Sequence, residues 1–121
     1  MKNWTLLFVA GSLAGPISNA EAQVVTPSIS ATGQGSWEML CHIVADGEQS
    51  DRFLGPNRSS YSNPKLQRAE CSYKAPQAAP LVITIAGSAT CPFKGASADA
   101  CTLTEIKGRA GKFELKFKAG R

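Results

Sequence analysis

The chain has 121 residues, of which 43% are hydrophobic and 18% are charged. We expect a chain of this length to fold as one domain with a modest hydrophobic core. The formal net charge of +4 is uneven, because residues 107–121 carry six basic side chains and one acidic one, whereas residues 23–106 carry six basic and seven acidic ones.

Residues 1–22 have the pattern of an export signal. Lys2 provides the positively charged N-terminal region, and residues 5–17 form a mostly apolar stretch. Ala20-Glu21-Ala22 matches the small-x-small cleavage pattern, and a second possible cleavage site lies two residues earlier. The apolar run is too short to cross a membrane, and the mature chain contains no transmembrane segment. We therefore expect a signal helix that is removed after residue 22, a single domain over residues 23–121, and a periplasmic or secreted location.

Short strands are predicted along the first half of the mature chain. Residues 24–30 are β-prone, and Pro27 places this strand at a sheet edge. Residues 36–45 alternate most clearly between an apolar and a polar face. Asp46-Gly47 predicts a hairpin turn into a partner strand over residues 48–54, and the polar residues 55–64 are predicted as a loop.

The second half continues in the same way. Strands are predicted over residues 66–73, 81–86, 101–106 and 112–118, with a linker rich in Pro and Ala over residues 74–80. No mature segment shows a sustained helical period. Seven short strands separated by turns rich in Gly, Pro and Asn predict an all-β fold. We expect a small disulfide-stapled antiparallel β-sandwich with immunoglobulin-like architecture, or a small barrel.

The four cysteines allow three disulfide pairings. Cys41 and Cys71 both lie on the apolar face of a predicted strand, and Cys91 and Cys101 flank a short loop rich in Gly and Ala. This pattern favours the pairs 41–71 and 91–101. The spacings match no zinc ligand pair, and His42, next to Cys41 on a strand, points to the opposite face. We therefore expect neither a metal site nor a cofactor.

The comparison with immunoglobulin domains extends only to architecture. In those domains a tryptophan lies between the two core cysteines, and a tyrosine lies two residues before the second. Here Trp37 precedes Cys41, and Ala69 occupies the position two residues before Cys71. No family is assigned on this basis.

The sequence contains few candidate catalytic residues. The sequence contains no nucleophile elbow, zinc-protease motif or phosphate-binding loop, and His42 is its only histidine. A carboxylate pair drawn from Glu38, Asp51, Glu70 and Glu105 is the remaining route to hydrolysis. Because Glu38 and Glu70 lie on predicted polar strand faces, we expect them to face solvent. We therefore predict that the protein is not an enzyme.

Basic residues cluster in the predicted C-terminal hairpin. The candidate anion-binding residues are Lys107, Arg109, Lys112, Lys116 and Lys118. Phe113 and Phe117 point inward, so the charged face lacks aromatic side chains on which nucleic-acid bases stack, and nucleic acid is disfavoured. The expected partner is an anionic lipid, glycan or protein. The alternative is that these lysines only protect an edge strand from pairing with another chain.

The predicted loop over residues 55–64 is a second candidate binding surface. Arg58 and Tyr61 stand there among small polar residues, a composition found in recognition loops and also in ordinary exposed loops.

A stapled scaffold without a catalytic set predicts an exported, monomeric binding module. The alternatives are a small secreted hydrolase that uses paired carboxylates, a structural subunit of a surface assembly, and a protein inhibitor.

Overall fold

The computed structural model describes residues 25–117, so the predicted signal peptide and Lys118 lie outside the described residues. Eight strands follow in chain order: β1 (Ser28–Thr32), β2 (Glu38–Ala45), β3 (Glu48–Leu54), β4 (Ser60–Ser62), β5 (Leu66–Lys74), β6 (Leu81–Ala86), β7 (Cys101–Glu105) and β8 (Ala110–Lys116). Within residues 25–117, no helix is long and apolar enough to span a membrane.

The strands form two antiparallel sheets of four strands each. Sheet A has the order β4-β1-β6-β7, and sheet B has the order β3-β2-β5-β8. Buried side chains from both sheets belong to one hydrophobic cluster between them. The fold is therefore the predicted all-β sandwich, and the barrel alternative is not what the chain forms.

The core follows the period of two that an extended chain imposes on its side chains. Buried residues alternate with exposed or half-buried ones over residues 39–44 of β2, residues 69–74 of β5 and all of β6, and a register shift between β2 and β5 interrupts the alternation near Leu66. The largest fully buried apolar side chains are Ile29, Met39, Ile43, Leu81 and Ile83. The predicted hairpin between β2 and β3 is also confirmed, since Asp46 and Gly47 adopt φ values of 53° and 80°.

Two local predictions are wrong. β1 is not an edge strand, because it pairs with β4 on one side and with β6 on the other. Pro27 stands just before the first ladder residue, so its missing N–H removes no sheet hydrogen bond. The predicted loop over residues 55–64 contains β4, whose three residues pair with Ser28–Ser30 and complete the edge of sheet A.

Both predicted disulfides are present. Cys41 and Cys71 lie directly opposite each other on β2 and β5, with Cα atoms 4.0 Å apart. Cys91 pairs with Cys101, and these Cα atoms are 5.5 Å apart. In immunoglobulin domains the core disulfide connects the two sheets, whereas Cys41–Cys71 connects neighbouring strands within sheet B.

The long connection between β6 and β7 closes one open side of the sandwich. Phe93 in this connection is buried, and its ring lies 5.1 Å from the ring of Phe113 on β8 in an edge-to-face arrangement. The backbone N–H of Ala89 donates to the carbonyl of Lys116. The Cys91–Cys101 disulfide therefore fastens to β7 a segment that also contacts β8.

A polar contact connects the two sheets on the same side. The Tyr73 hydroxyl of β5 donates to the Glu105 carboxylate of β7 over 2.5 Å, and that carboxylate also accepts from the N–H of Ile106. Gly111 leaves room for the Tyr73 ring, since a Cβ at this position would stand 2.5 Å from the Tyr73 hydroxyl oxygen. Burial, followed by the bond to Glu105, raises the pKa of Tyr73 far above its ordinary value.

Candidate functional site

The two sheets present chemically different outer faces. The outward residues of sheet A are Ser, Thr, Val and Ala, so this face carries no charge. They are Ser28, Ser30, Thr32, Ser60, Ser62, Val82, Thr84, Ala86, Thr102 and Thr104. Any binding that depends on charge must therefore use other parts of the surface.

The strand register arranges the outer face of sheet B in rows that cross all four strands. The acidic row consists of Asp51, His42, Glu70 and Glu114. On one side of it lies the Lys112 row, which consists of Phe53, Leu40, Ser72 and Lys112. On the other side lies the Lys116 row, which consists of Gln49, Val44, Arg68 and Lys116.

This outer face is concave. A cavity of about 580 Å³ covers the acidic row and the Lys116 row, and all eight side chains of these two rows line it. Thr90, from the connection between β6 and β7, contributes to its wall. A second cavity of about 360 Å³ lies beside Leu40, Phe53 and Ser72 of the Lys112 row. Both volumes fall in the range of small-molecule sites.

Two of the predicted basic residues lie on this face. Lys112 and Lys116 point outward from β8 on either side of Glu114, as the alternation predicted. Lys107 and Arg109 are exposed in the turn between β7 and β8.

The structure adds two cations that the sequence analysis did not place in the cluster. Arg68 lies directly opposite Lys116, and Lys74 lies opposite Ala110, diagonal to Lys112. The alternation of β5 already placed Arg68 on a polar strand face. No sequence signal, however, indicated that β5 and β8 are neighbours, since 35 residues separate the two strands.

The predicted carboxylate set is not brought together as a unit. Glu105 belongs to sheet A, where it accepts from Tyr73. Glu70 faces Glu114 across β5 and β8, a pairing that the sequence analysis did not identify. Like charges directly opposite each other on a sheet repel, so this pair destabilises the local structure.

The single histidine forms the one ion-pair contact found among residues 25–117. Its Nδ1 lies 2.6 Å from Oδ1 of Asp51, and both side chains are more than half exposed. His42 and Asp51 form one end of the acidic row. Within the described residues, no group of three His, Cys, Asp or Glu side chains is placed to hold a metal ion.

The second predicted binding surface, residues 55–64, is partly a strand of the sandwich. Tyr61 stands on β4, is half-buried against the core, and lies 5.0 Å beneath the guanidinium of Arg52. Its hydroxyl accepts from Asn63. Arg58 is exposed in a turn closed by two backbone hydrogen bonds with Gly55. Arg58 and Tyr61 both line a cavity of about 190 Å³, which is much smaller than the one over the acidic row.

No protein-family model, curated protein or solved structure matches this chain. Among residues 25–117, the rows of sheet B, with their concave shape and their charge, form the best-defined candidate site.

Proposed function

We propose that the protein is a binding module that acts outside the cytoplasm and holds an anionic partner on the basic part of sheet B. The observation that carries this proposal is the gathering of six cations on β5, β8 and the turn before β8. The carboxylates of these elements are Glu70 and Glu114, and Glu38 and Asp51 lie on the neighbouring strands β2 and β3. The basic face consists of Arg68, Lys74, Lys112 and Lys116 on the outer side of sheet B, and Lys107 and Arg109 lie in the turn beside it. A concentration of one sign of charge attracts a partner of the opposite sign.

The lack of ion pairs at these cations, within residues 25–117, supports the proposal. In the part of the chain that the structure describes, none of the six forms an ion pair with a carboxylate. Edge protection accounts for lysines on β8, which is an edge strand. It does not account for Arg68 and Lys74, because β5 lies inside the sheet between β2 and β8.

Two features support a location outside the cytoplasm. Residues 1–22 have the pattern of a cleavable export signal. All four cysteines are paired in disulfides, which persist in oxidising compartments and are rare in the cytosol.

Charge reversal tests the basic face. The variant Lys112→Glu/Lys116→Glu should weaken binding to an anionic probe by roughly tenfold or more, because attraction becomes repulsion at two central positions. The matched control is Lys65→Glu/Lys94→Glu, which changes the net charge equally outside the two sheet B cavities. Titration against phosphatidylglycerol vesicles, polygalacturonate and polyglutamate at low and physiological ionic strength measures the effect. Equal behaviour of the two variants on every probe would contradict the proposal.

Hydrolysis is the second candidate, favoured by one observation. Glu70 and Glu114 face each other in the cavity of about 580 Å³, and two facing carboxyl groups are the catalytic pair of most glycosidases. In that case the protein releases reducing sugar from a glycoside, and either Glu70→Gln or Glu114→Gln abolishes the release. A turnover rate that both substitutions leave unchanged would exclude this pair as the catalyst.

A further inference from the structure

We infer that the anionic partner is an acidic polysaccharide that lies along β5 and β8, an inference that rests on the proposed function. Its basis is the order of positive and negative side chains along the outer sides of β5 and β8. Cations stand at both ends of this path, and the facing carboxylates of Glu70 and Glu114 stand between them.

The register gives this path a direction and a length. Lys116 and Arg68 face each other at one end, and Lys112 lies on the far side of the acidic row. Four residues along a strand separate Lys112 from Lys116, which corresponds to about 14 Å at 3.4 Å per residue. Beyond Lys112, Lys74 adds a further positive charge, and Glu38 of β2 lies opposite it. The path is therefore long and narrow and runs parallel to the strands.

The carboxylates between the cations discriminate between classes of anion. A membrane surface or an acidic peptide carries negative charge throughout, so it brings negative charge onto Glu70 and Glu114 and is repelled there. An acidic polysaccharide carries neutral hydroxyl groups between its acid groups. Its acid groups pair with the cations, while its hydroxyls donate to the two carboxylates in charge-assisted hydrogen bonds.

The shape of the face supports the same ligand. The cavities of about 580 and 360 Å³ lie over successive parts of this face, and together they give an extended chain an elongated depression to occupy. Ser72 lies opposite Lys112 on the path and adds a neutral hydroxyl. Exposed Phe53 and half-buried Leu40 continue the same row with apolar surface.

The variant Glu70→Gln/Glu114→Gln tests the inference, because two mechanisms predict opposite signs. It removes two negative charges, so binding that depends only on net charge becomes tighter. If the carboxylates accept sugar hydroxyls, affinity for polygalacturonate instead falls roughly fivefold, as charge-assisted hydrogen bonds become neutral ones. Binding to polyglutamate and to phosphatidylglycerol vesicles should tighten in the same variant. Isothermal titration of the mature protein measures all three.

The remaining outcomes separate this inference from the proposed function. If wild-type protein does not bind polygalacturonate, or if the Gln variant binds it as well as wild type or better, the polysaccharide inference is wrong. The basic face still stands in that case if Lys112→Glu/Lys116→Glu loses binding to vesicles or polyglutamate. If that variant matches Lys65→Glu/Lys94→Glu on every probe, both the face and the inference fail.

Discussion

Sheets A and B have the same kind of inner face and opposite kinds of outer face. Inside, both alternate large apolar residues into one shared core. Outside, sheet A presents Ser, Thr, Val and Ala, whereas sheet B presents ordered rows of cations and carboxylates over two cavities. The shared core is built from the inner faces, whereas the outer rows contribute mainly through cross-strand pairs. The charged rows of sheet B are thus the feature by which the two outer faces differ.

Removing either disulfide should lower the free energy of unfolding more than any other change proposed for this protein, and the two losses should differ. Sheet B contains the Cys41–Cys71 staple, which spans 30 residues, whereas Cys91–Cys101 spans 10 and fastens a connection to sheet A. Loop-closure entropy predicts losses of about 3.6 and 2.7 kcal/mol in the free energy of unfolding, respectively. The variants Cys41→Ala/Cys71→Ala and Cys91→Ala/Cys101→Ala, compared by urea unfolding, check this order.

Removing both disulfides removes stability comparable to the total of a typical domain, about 5–15 kcal/mol. We therefore expect dithiothreitol to unfold the protein or nearly so. A melting temperature unchanged by the reductant would contradict this expectation. A larger loss from the Cys91 and Cys101 variant would show that the connection to sheet A matters more than the staple within sheet B.

The contact between the sheets gives an intermediate effect with a defined pH dependence. Tyr73→Phe removes the hydrogen bond to the Glu105 carboxylate and should lower the free energy of unfolding by about 1.5 kcal/mol at neutral pH. Because the folded pKa of Tyr73 is raised, its contribution is fully present below the ordinary tyrosine pKa of about 10 and is lost as the pH rises above that value.

The wild-type protein should therefore lose stability above about pH 10 more steeply than Tyr73→Phe. Urea unfolding of both proteins from neutral to alkaline pH measures this difference. Parallel curves for the two proteins would show that the hydroxyl does not couple the sheets through its protonation.

The smallest effect concerns the outer face of sheet B. Glu70→Gln/Glu114→Gln removes a like-charge pair and should raise the free energy of unfolding by roughly 0.5 kcal/mol, most at low salt. The matched control on sheet A is Thr84→Val/Thr102→Val, a cross-strand pair without charge, for which no salt-dependent gain is expected. A loss of stability in the Gln variant would show that the two carboxylates do not repel each other.

Local pattern predicted a large part of the fold. The alternation of apolar and polar residues over 36–45 predicts that Met39, Cys41 and Ile43 are buried. The same alternation over residues 112–118 predicts that Lys112 and Lys116 share the outer face of the last strand. Asp46-Gly47 identified the hairpin, because few other residue pairs adopt positive φ at both positions. The edge-strand prediction from Pro27 is wrong because Pro27 precedes Ser28, the first residue of β1 that pairs with β6.

The candidate site was predictable only in part. Each strand's outward residues were readable, but the facing pairs Arg68 with Lys116 and Glu70 with Glu114 were not. The sequence predicts a loop at Tyr61 because β4 has only three residues, too few to show an alternation. Its packing beneath Arg52 depends on the meeting of two sheet edges.

The sequence by itself determined the sandwich class, the inward and outward faces of most strands and the favoured disulfide pairs. These follow from the period of two in an extended chain and from the flanking of a short loop by two cysteines. Only the tertiary structure decided which strands are neighbours and in what register. That pairing depends on contacts between segments far apart in the chain, and it turned separate charges on β2, β3, β5 and β8 into the rows of one concave face.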